Sequence, residues 1–143
     1  MANWDQVRKI ALELPETRET TSHGNLTWCV RDKSFAWVRP LRAADLEALG
    51  VGGPKGEILG VRVAHLLAKE ARLAAQPECC FTTPHFDGYA AVLVQLGKIK
   101  VADLRELLVE GWLARAPKRL AQDFSPRDSR LETRAMRSKP RSR

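Results

Sequence analysis

The run Cys80-Phe81-Thr82-Thr83-Pro84-His85-Phe86-Asp87-Gly88-Tyr89 gathers an imidazole, a carboxylate, a phenol and two hydroxyls, and the apolar Ala91-Val92-Leu93-Val94 follows it. His85 and Asp87 are close enough in sequence to share a turn. With His23 or His65 folded alongside, they are raw material for acid–base chemistry or a metal site. Acid–base catalysis also needs a positioned pair and a nucleophile or substrate pocket, and no motif here identifies either. The structural reading explains the residues at least as well. His85 and Asp87 can bond loop backbone, Gly88 can supply a positive φ, and Tyr89 can anchor the loop, with Pro84 and Gly88 fixing a turn. An enzyme would need His23, His85 and Asp87 in one concave pocket, so we expect a non-enzymatic chain with no catalytic residue. Cys79-Cys80 and His85 lack a Cys-x-x-Cys or His-Glu-x-x-His spacing, and adjacent strand residues point to opposite faces, so neither metal nor cofactor is expected.

The elements that must position this loop are legible on both sides of it. Asn3 with Gln6 forms a capping box, and Trp4, Val7, Ile10, Ala11 and Leu14 recur at helical spacing until Pro15 ends the helix. Leu26 to Arg31 and Ser34 to Arg39 are two β-rich runs joined by Asp32-Lys33, an antiparallel hairpin with Leu26, Trp28 and Val30 on one face and Thr27, Cys29 and Arg31 on the other. The glycine-crowded stretch from Gly50 to Gly56 reads as a loop after a helical turn over 44–49. A strand over 57–63 is weakened by Gly60. Ala64 to Ala75 is a helix with Leu66, Leu67 and Leu73 on its period, Phe81 to Thr83 and Ala90 to Leu96 are strands, and Val101 to Ala116 is the last strong helix, with Lys118 opening a short one. Trp4, Trp28, Trp37 and Trp112 fall where periodicity predicts burial. Trp28 and Trp37, on facing strands, are alternatively a stacking platform for single-stranded bases, and a covering helix distinguishes the two.

The 143 residues, 44% hydrophobic and 29% charged, suit one soluble domain, expected over 1–126. No apolar run approaches the ~20 residues of a membrane span, and the N-terminus lacks a signal-like pattern, so a cytoplasmic protein is expected. The three cysteines are read as free thiols. Of the net charge of +7, residues 127–143 hold seven basic against two acidic side chains, a basic arm suited to weak, salt-sensitive attraction to a polyanion, or to solubility alone. Ser129 to Glu132 matches a capping box, which allows a fraying helix over 130–137.

Several segments together resemble the MmcQ/YjbR family: Cys80 to Tyr89, Leu14-Pro15-Glu16, Thr21-Ser22-His23-Gly24, Val30 to Ala36, and Ala116 to Leu120. The likeness covers roughly residues 4 to 124 and departs in the glycine-rich middle loop and at Cys79-Cys80. It implies an α+β fold, an antiparallel sheet packed against N-terminal and C-terminal helices, and a DNA-binding role. That fold is similar to that of frataxin-like iron proteins, but the acidic first helix of those is missing where Arg8 and Lys9 accompany Asp5 and Glu13. The expected function is a nucleic-acid-binding module. Its phosphate contacts would be Arg31, Lys33, Arg39, Lys118 and Arg119 with the tail residues Arg127, Arg130, Arg134 and Arg137. The alternative is a protein-interaction or small-ligand module using the loop residues Thr82, Thr83, His85, Asp87 and Tyr89 together with His23.

Overall fold

The capping box starts the first helix as its spacing predicts: Asn3 Oδ1 accepts from Gln6 N at 2.9 Å, and Gln6 Oε1 accepts from Asn3 N at 3.1 Å. The computed structural model of the chain describes residues 2–54 and 56–124. In order they form α1 (Trp4–Glu13), β1 (Thr17–Ser22), β2 (Asn25–Val30), β3 (Lys33–Val38), α2 (Ala43–Leu49), β4 (Ile58–Arg62), α3 (Leu66–Ala75), β5 (Cys80–Phe81), β6 (Ala91–Gln95), α4 (Val101–Arg115) and α5 (Lys118–Asp123). The strands make one six-stranded antiparallel sheet in the order β1-β2-β3-β4-β6-β5, an α+β fold. The expected arm, 127–143, and the helix expected over 130–137 lie outside the described residues.

Strand β1 is an element the apolar pattern does not announce, because Thr17-Arg18-Glu19-Thr20-Thr21-Ser22 has no aliphatic residue. It is an edge strand, paired on one side only, which a polar sequence tolerates. Its hairpin to β2 closes through His23 and Gly24, at φ 53° and 82°, the two positive φ values a primed two-residue turn requires. Glu19 ties the edge down: its Oε1 accepts from Arg8 Nε at 2.9 Å and from Trp28 Nε1 at 3.0 Å. The next hairpin turns at Arg31-Asp32, with Val30 opposite Lys33, one residue earlier than the Asp32-Lys33 link expected.

Helices α1, α3 and α4 cover one face of the sheet. Trp28, Val30, Phe35, Ala36, Leu59, Val61, Val92 and Val94 meet Val7, Ile10, Leu104, Leu107, Leu108 and Trp112 in the main core. Trp112 Nε1 donates to Pro15 O at 2.9 Å, fastening α4 to the end of α1, and Arg72 of α3 pairs with Glu110 of α4 at 2.7 Å. A register shift in the β2–β3 ladder leaves Phe35 as an extra residue between Ser34 and Ala36, so two consecutive side chains both enter this core. In α3 the leucine period misleads: Leu66 and Leu67 are exposed, Leu73 packs partly on the core, and the buried residue is Lys69. The face of this helix is chosen by a hydrogen-bonding partner of Lys69 rather than by aliphatic burial.

Helix α4 crosses β3 and β4 closely at Gly111, where a Cβ would stand 3.0 Å from Arg62 O and Val61 Cγ1 and 3.1 Å from Phe35 O. Two of these are sheet carbonyls that cannot turn aside. Gly111→Ala gains about 1 kcal/mol of helix propensity but forces α4 off the sheet, at a cost of about 1–3 kcal/mol. Urea unfolding should show a midpoint no higher than wild type, and a higher one would contradict this packing.

Candidate functional site

The opposite face of the sheet has two halves. Over β4 and β6, Ile58 and Leu93 carry a small second core with Phe86 of the 82–90 loop, edged by Trp37, Leu41 and Phe81. Over β1 to β3 no helix of the described residues lies on the sheet, and an open groove of ≈ 930 Å³ runs between the His23 turn and the loop. Its floor is Thr20, Thr27, Cys29, Ser34 and Trp37, hydroxyls and a thiol around one indole. Alternation puts them there. Thr27 pairs with Trp37 on this face, and Trp28 pairs with Ala36 on the helix face. The two tryptophans are therefore not a joint platform: Trp28 is fully buried in the main core, and Trp37 is half-buried in the groove.

The indole of Trp37 lies flat because its cross-strand partner is Gly60. A Cβ on Gly60 would meet Trp37 Cε2, Nε1 and Cζ2 at 2.5, 2.6 and 2.9 Å, near-equal distances that place it against the ring face. The glycine that weakens β4 on propensity grounds is thus what admits this ring.

The loop wall is held from behind. Lys69 Nζ, buried, donates to Phe86 O at 2.6 Å and Tyr89 O at 2.9 Å. Burial pushes its pKa down, against the opposing pull of Asp87. Arg62 stacks its guanidinium 4.7 Å over the Tyr89 ring and donates to its hydroxyl at 2.9 Å. Gly88 turns the loop at φ 75°. Arg39 sits 5.2 Å over the Phe86 ring and pairs with Asp45 of α2 at 3.0 Å, both side chains under 8% exposed. Asp45 also accepts from Arg42 N at 2.9 Å. Burial raises the Asp45 carboxyl, but the Arg42 N–H and the Arg39 guanidinium outweigh it, and its pKa lies below the ordinary range.

Of the predicted residues, His23, His85, Asp87 and Tyr89 line the one groove, while His65 caps α3, its Nδ1 accepting from Ala68 N at 3.1 Å. His85 stands edge-on to Phe86, and His23 lies 3.4 Å from Ser22 Oγ, so no hydrogen bond joins His23, His85 and Asp87 into a catalytic pair. Neither His85 nor Asp87 bonds the loop backbone; that work falls to Lys69. Thr83 is buried and its hydroxyl helps hold the Asp45 carboxyl in its charged form, while the Thr82 hydroxyl has no hydrogen-bond partner among the described residues. Among the basic candidates, Arg39 is committed inward to Asp45, which leaves no exposed guanidinium for a phosphate. Arg31 bonds Glu16 at 2.6 Å on the surface, while Lys33, Lys118 and Arg119 are exposed. Arg127, Arg130, Arg134 and Arg137 lie outside the described residues. Sequence reasoning missed Lys69, Asp45, Arg42 and all of β1; the two-residue His23-Gly24 turn was the available signal for β1. Burial pushes the Cys29 thiol up, so its thiolate is scarce, and Cys79 and Cys80 are buried side by side in the main core.

A family model described as YjbR matches residues 12–114. The chain is 51% identical over 127 residues to the uncharacterized proteins Rv2570 of Mycobacterium tuberculosis and Mb2600 of Mycobacterium bovis, covering 87% of this chain and 96% of each relative. Its fold is similar to that in the crystal structure of Deinococcus radiodurans protein DR2400, of family-model domain DUF419, with a TM-score of 0.56 and 24% identity over 79% of this chain and 78% of that one.

The Arg39–Asp45 pair sets the acid sensitivity of the wall. A carboxyl with a lowered folded pKa stabilises the fold above its unfolded value, about 3.9, and that contribution is lost as pH falls through the folded value. Asp45→Asn leaves Arg39 buried without its counter-charge and should cost about 3–5 kcal/mol at pH 7. The acid limb of the stability profile should flatten too, as read by urea unfolding from about pH 3 to 7, the range over which carboxyls titrate. A loss under ~1 kcal/mol, the scale of an exposed pair, would show that the pair is solvated.

Proposed function

The chain belongs to the YjbR family, and on that footing we propose that it is a non-enzymatic binding module whose site is the groove on the side of β1 to β3 that no described helix covers, with a small polar ligand as its occupant. The observation that carries this reading is the combination of one flat indole, Trp37, with Thr20, Thr27, Ser34 and Asn25 in a concavity of ≈ 930 Å³. That volume lies within the roughly 300–1,000 Å³ of small-molecule sites. Rigid walls support it as well, because Lys69 and the Arg39–Asp45 pair fix the loop before any ligand arrives. His23, His85 and Asp87 do line one groove, the arrangement an enzyme would need, and binding is favoured over catalysis because no hydrogen bond pairs either imidazole with Asp87 as an acid–base couple.

Nucleic-acid binding is a second reading, favoured by the charge of residues 127–143 rather than by the groove. Arg39 is buried and Arg31 is paired, so of the candidates named on the folded domain Lys33, Lys118 and Arg119 remain exposed. Contacts of this kind hold phosphates without reading bases.

Two measurements separate the readings. Titrating the labelled protein with a mixture of small polar and heteroaromatic fragments, followed by ¹H–¹⁵N spectra, should move the amides of Thr20, Thr27, Ser34, Trp37 and Asp87. Shifts scattered over the helix side, or none, would overturn the groove as the site. With a fluorescent DNA duplex, Kd on the order of 10⁻⁴ to 10⁻⁶ M is expected. Replacing Arg127, Arg130, Arg134 and Arg137 together by Gln should then reduce the slope of log affinity against log salt by roughly 3–4, and an unchanged slope would remove the arm from the interaction.

A further inference from the structure

We propose that the groove takes an uncharged, planar heteroaromatic ring of the nucleobase type, as the free base or its nucleoside, laid flat on Trp37. This rests on the reading of the groove as a small-ligand site and specifies its ligand.

The first ground is the half-buried ring in the groove. Three of the four tryptophans serve the helix side: Trp28 and Trp112 are fully buried, and Trp4 packs on the main core. Trp37 alone lines the groove, with Gly60 against one face of its indole and Phe86 beside it, the ring centroids 6.5 Å apart and the planes 28° from parallel. An indole backed by strand and flanked by a near-parallel ring loses little freedom when a second ring stacks on it. Flat π-faced ligands are what such a surface holds best.

The second ground is the floor around that ring. Thr20 and Ser34 offer hydroxyls that both donate and accept, the buried Thr27 hydroxyl, which donates to Asn25 O at 3.3 Å, keeps lone pairs, and Asn25 adds an amide whose Nδ2 also reaches His23 O at 3.4 Å. A ring edge carrying donors and acceptors in alternation matches them, whereas a plain hydrocarbon ring would strip them of water without return.

The third ground is charge. Among the described residues, the lining has no surplus of Lys and Arg over Asp and Glu to draw a phosphate. Arg39 is neutralised by Asp45 at 3.0 Å, and Asp87 acts on the buried ammonium of Lys69. With Arg39 and Arg42 against Asp32 and Asp87, the described lining carries as many carboxylates as guanidiniums. A dianionic group would meet no net attraction there while losing its water.

The test is calorimetric titration of the full chain with adenosine, guanosine, cytidine and uridine and with each 5′-monophosphate, alongside ¹H–¹⁵N spectra of the indole N–H groups. At least one nucleoside should bind, its monophosphate should bind no tighter, and of the four indole signals only that of Trp37 should shift. Trp37→Ala should weaken binding by roughly 5- to 150-fold, the range for losing one base–aromatic stack, with Trp37→Phe recovering most of it. The spectra of the unmodified protein keep the test decisive if Trp37→Ala does not fold. A monophosphate binding tenfold tighter than its nucleoside would overturn the proposal, as would an unmoved Trp37 signal or no nucleoside binding at millimolar concentration. If the fragment mixture still maps to the groove in those cases, the ligand class has failed and the groove as a binding site stands.

Discussion

A single buried ammonium holds the functional face together. Lys69 Nζ donates to the carbonyls of Phe86 and Tyr89, which bracket the loop carrying Asp87 and Gly88, and no apolar side chain could satisfy both. Burying a charge in this way is costly, and the depressed pKa of Lys69 records that cost. In return the loop is fixed to α3, which is itself fixed to α4 through Arg72 and Glu110. Phe86 is thereby pressed onto Ile58 and Leu93, and the wall of the groove stands where the second core ends.

The sheet then divides its labour by parity. On β2 and β3, Trp28 and Ala36 look toward the helices while Thr27 and Trp37 look away. One indole becomes core, donating its N–H to Glu19, and the other stands half-buried in the groove. Gly60 completes the arrangement from β4, its missing Cβ leaving room for the Trp37 ring. A residue that is unfavourable in a strand by propensity is required by close approach.

Charge in this face is turned inward. Arg39 and Asp45 neutralise each other out of water, and Arg62 is spent on the ring and hydroxyl of Tyr89. Cations that composition counts toward polyanion binding serve instead as braces for the loop. Net charge describes attraction at a distance; the site itself is set by which of those charges remain solvated.

Local chemistry is enough for much of the fold. The capping box of Asn3 and Gln6, the stop at Pro15, the hairpin of β2 and β3 with its alternating faces, and the long α4 all follow from residues near one another in the chain, because caps and periodicity are short-range properties. Pro84 to Tyr89 was legible as a loop for the same reason, although the strand before it ends at Phe81 and not at Thr83 as expected. What residues 17–22 would do was not legible: a polar edge strand has no apolar rhythm, and it exists because β2 offers it a ladder. Nor was the burial of Lys69 or Arg39, since each depends on partners 17–20 and six residues away that only folding brings into reach. That His23 from one hairpin and His85 from a distant loop line the same groove, yet without a bond between them, was decided by the tertiary structure, because the order of strands in a sheet is a long-range outcome that spacing along the chain does not encode.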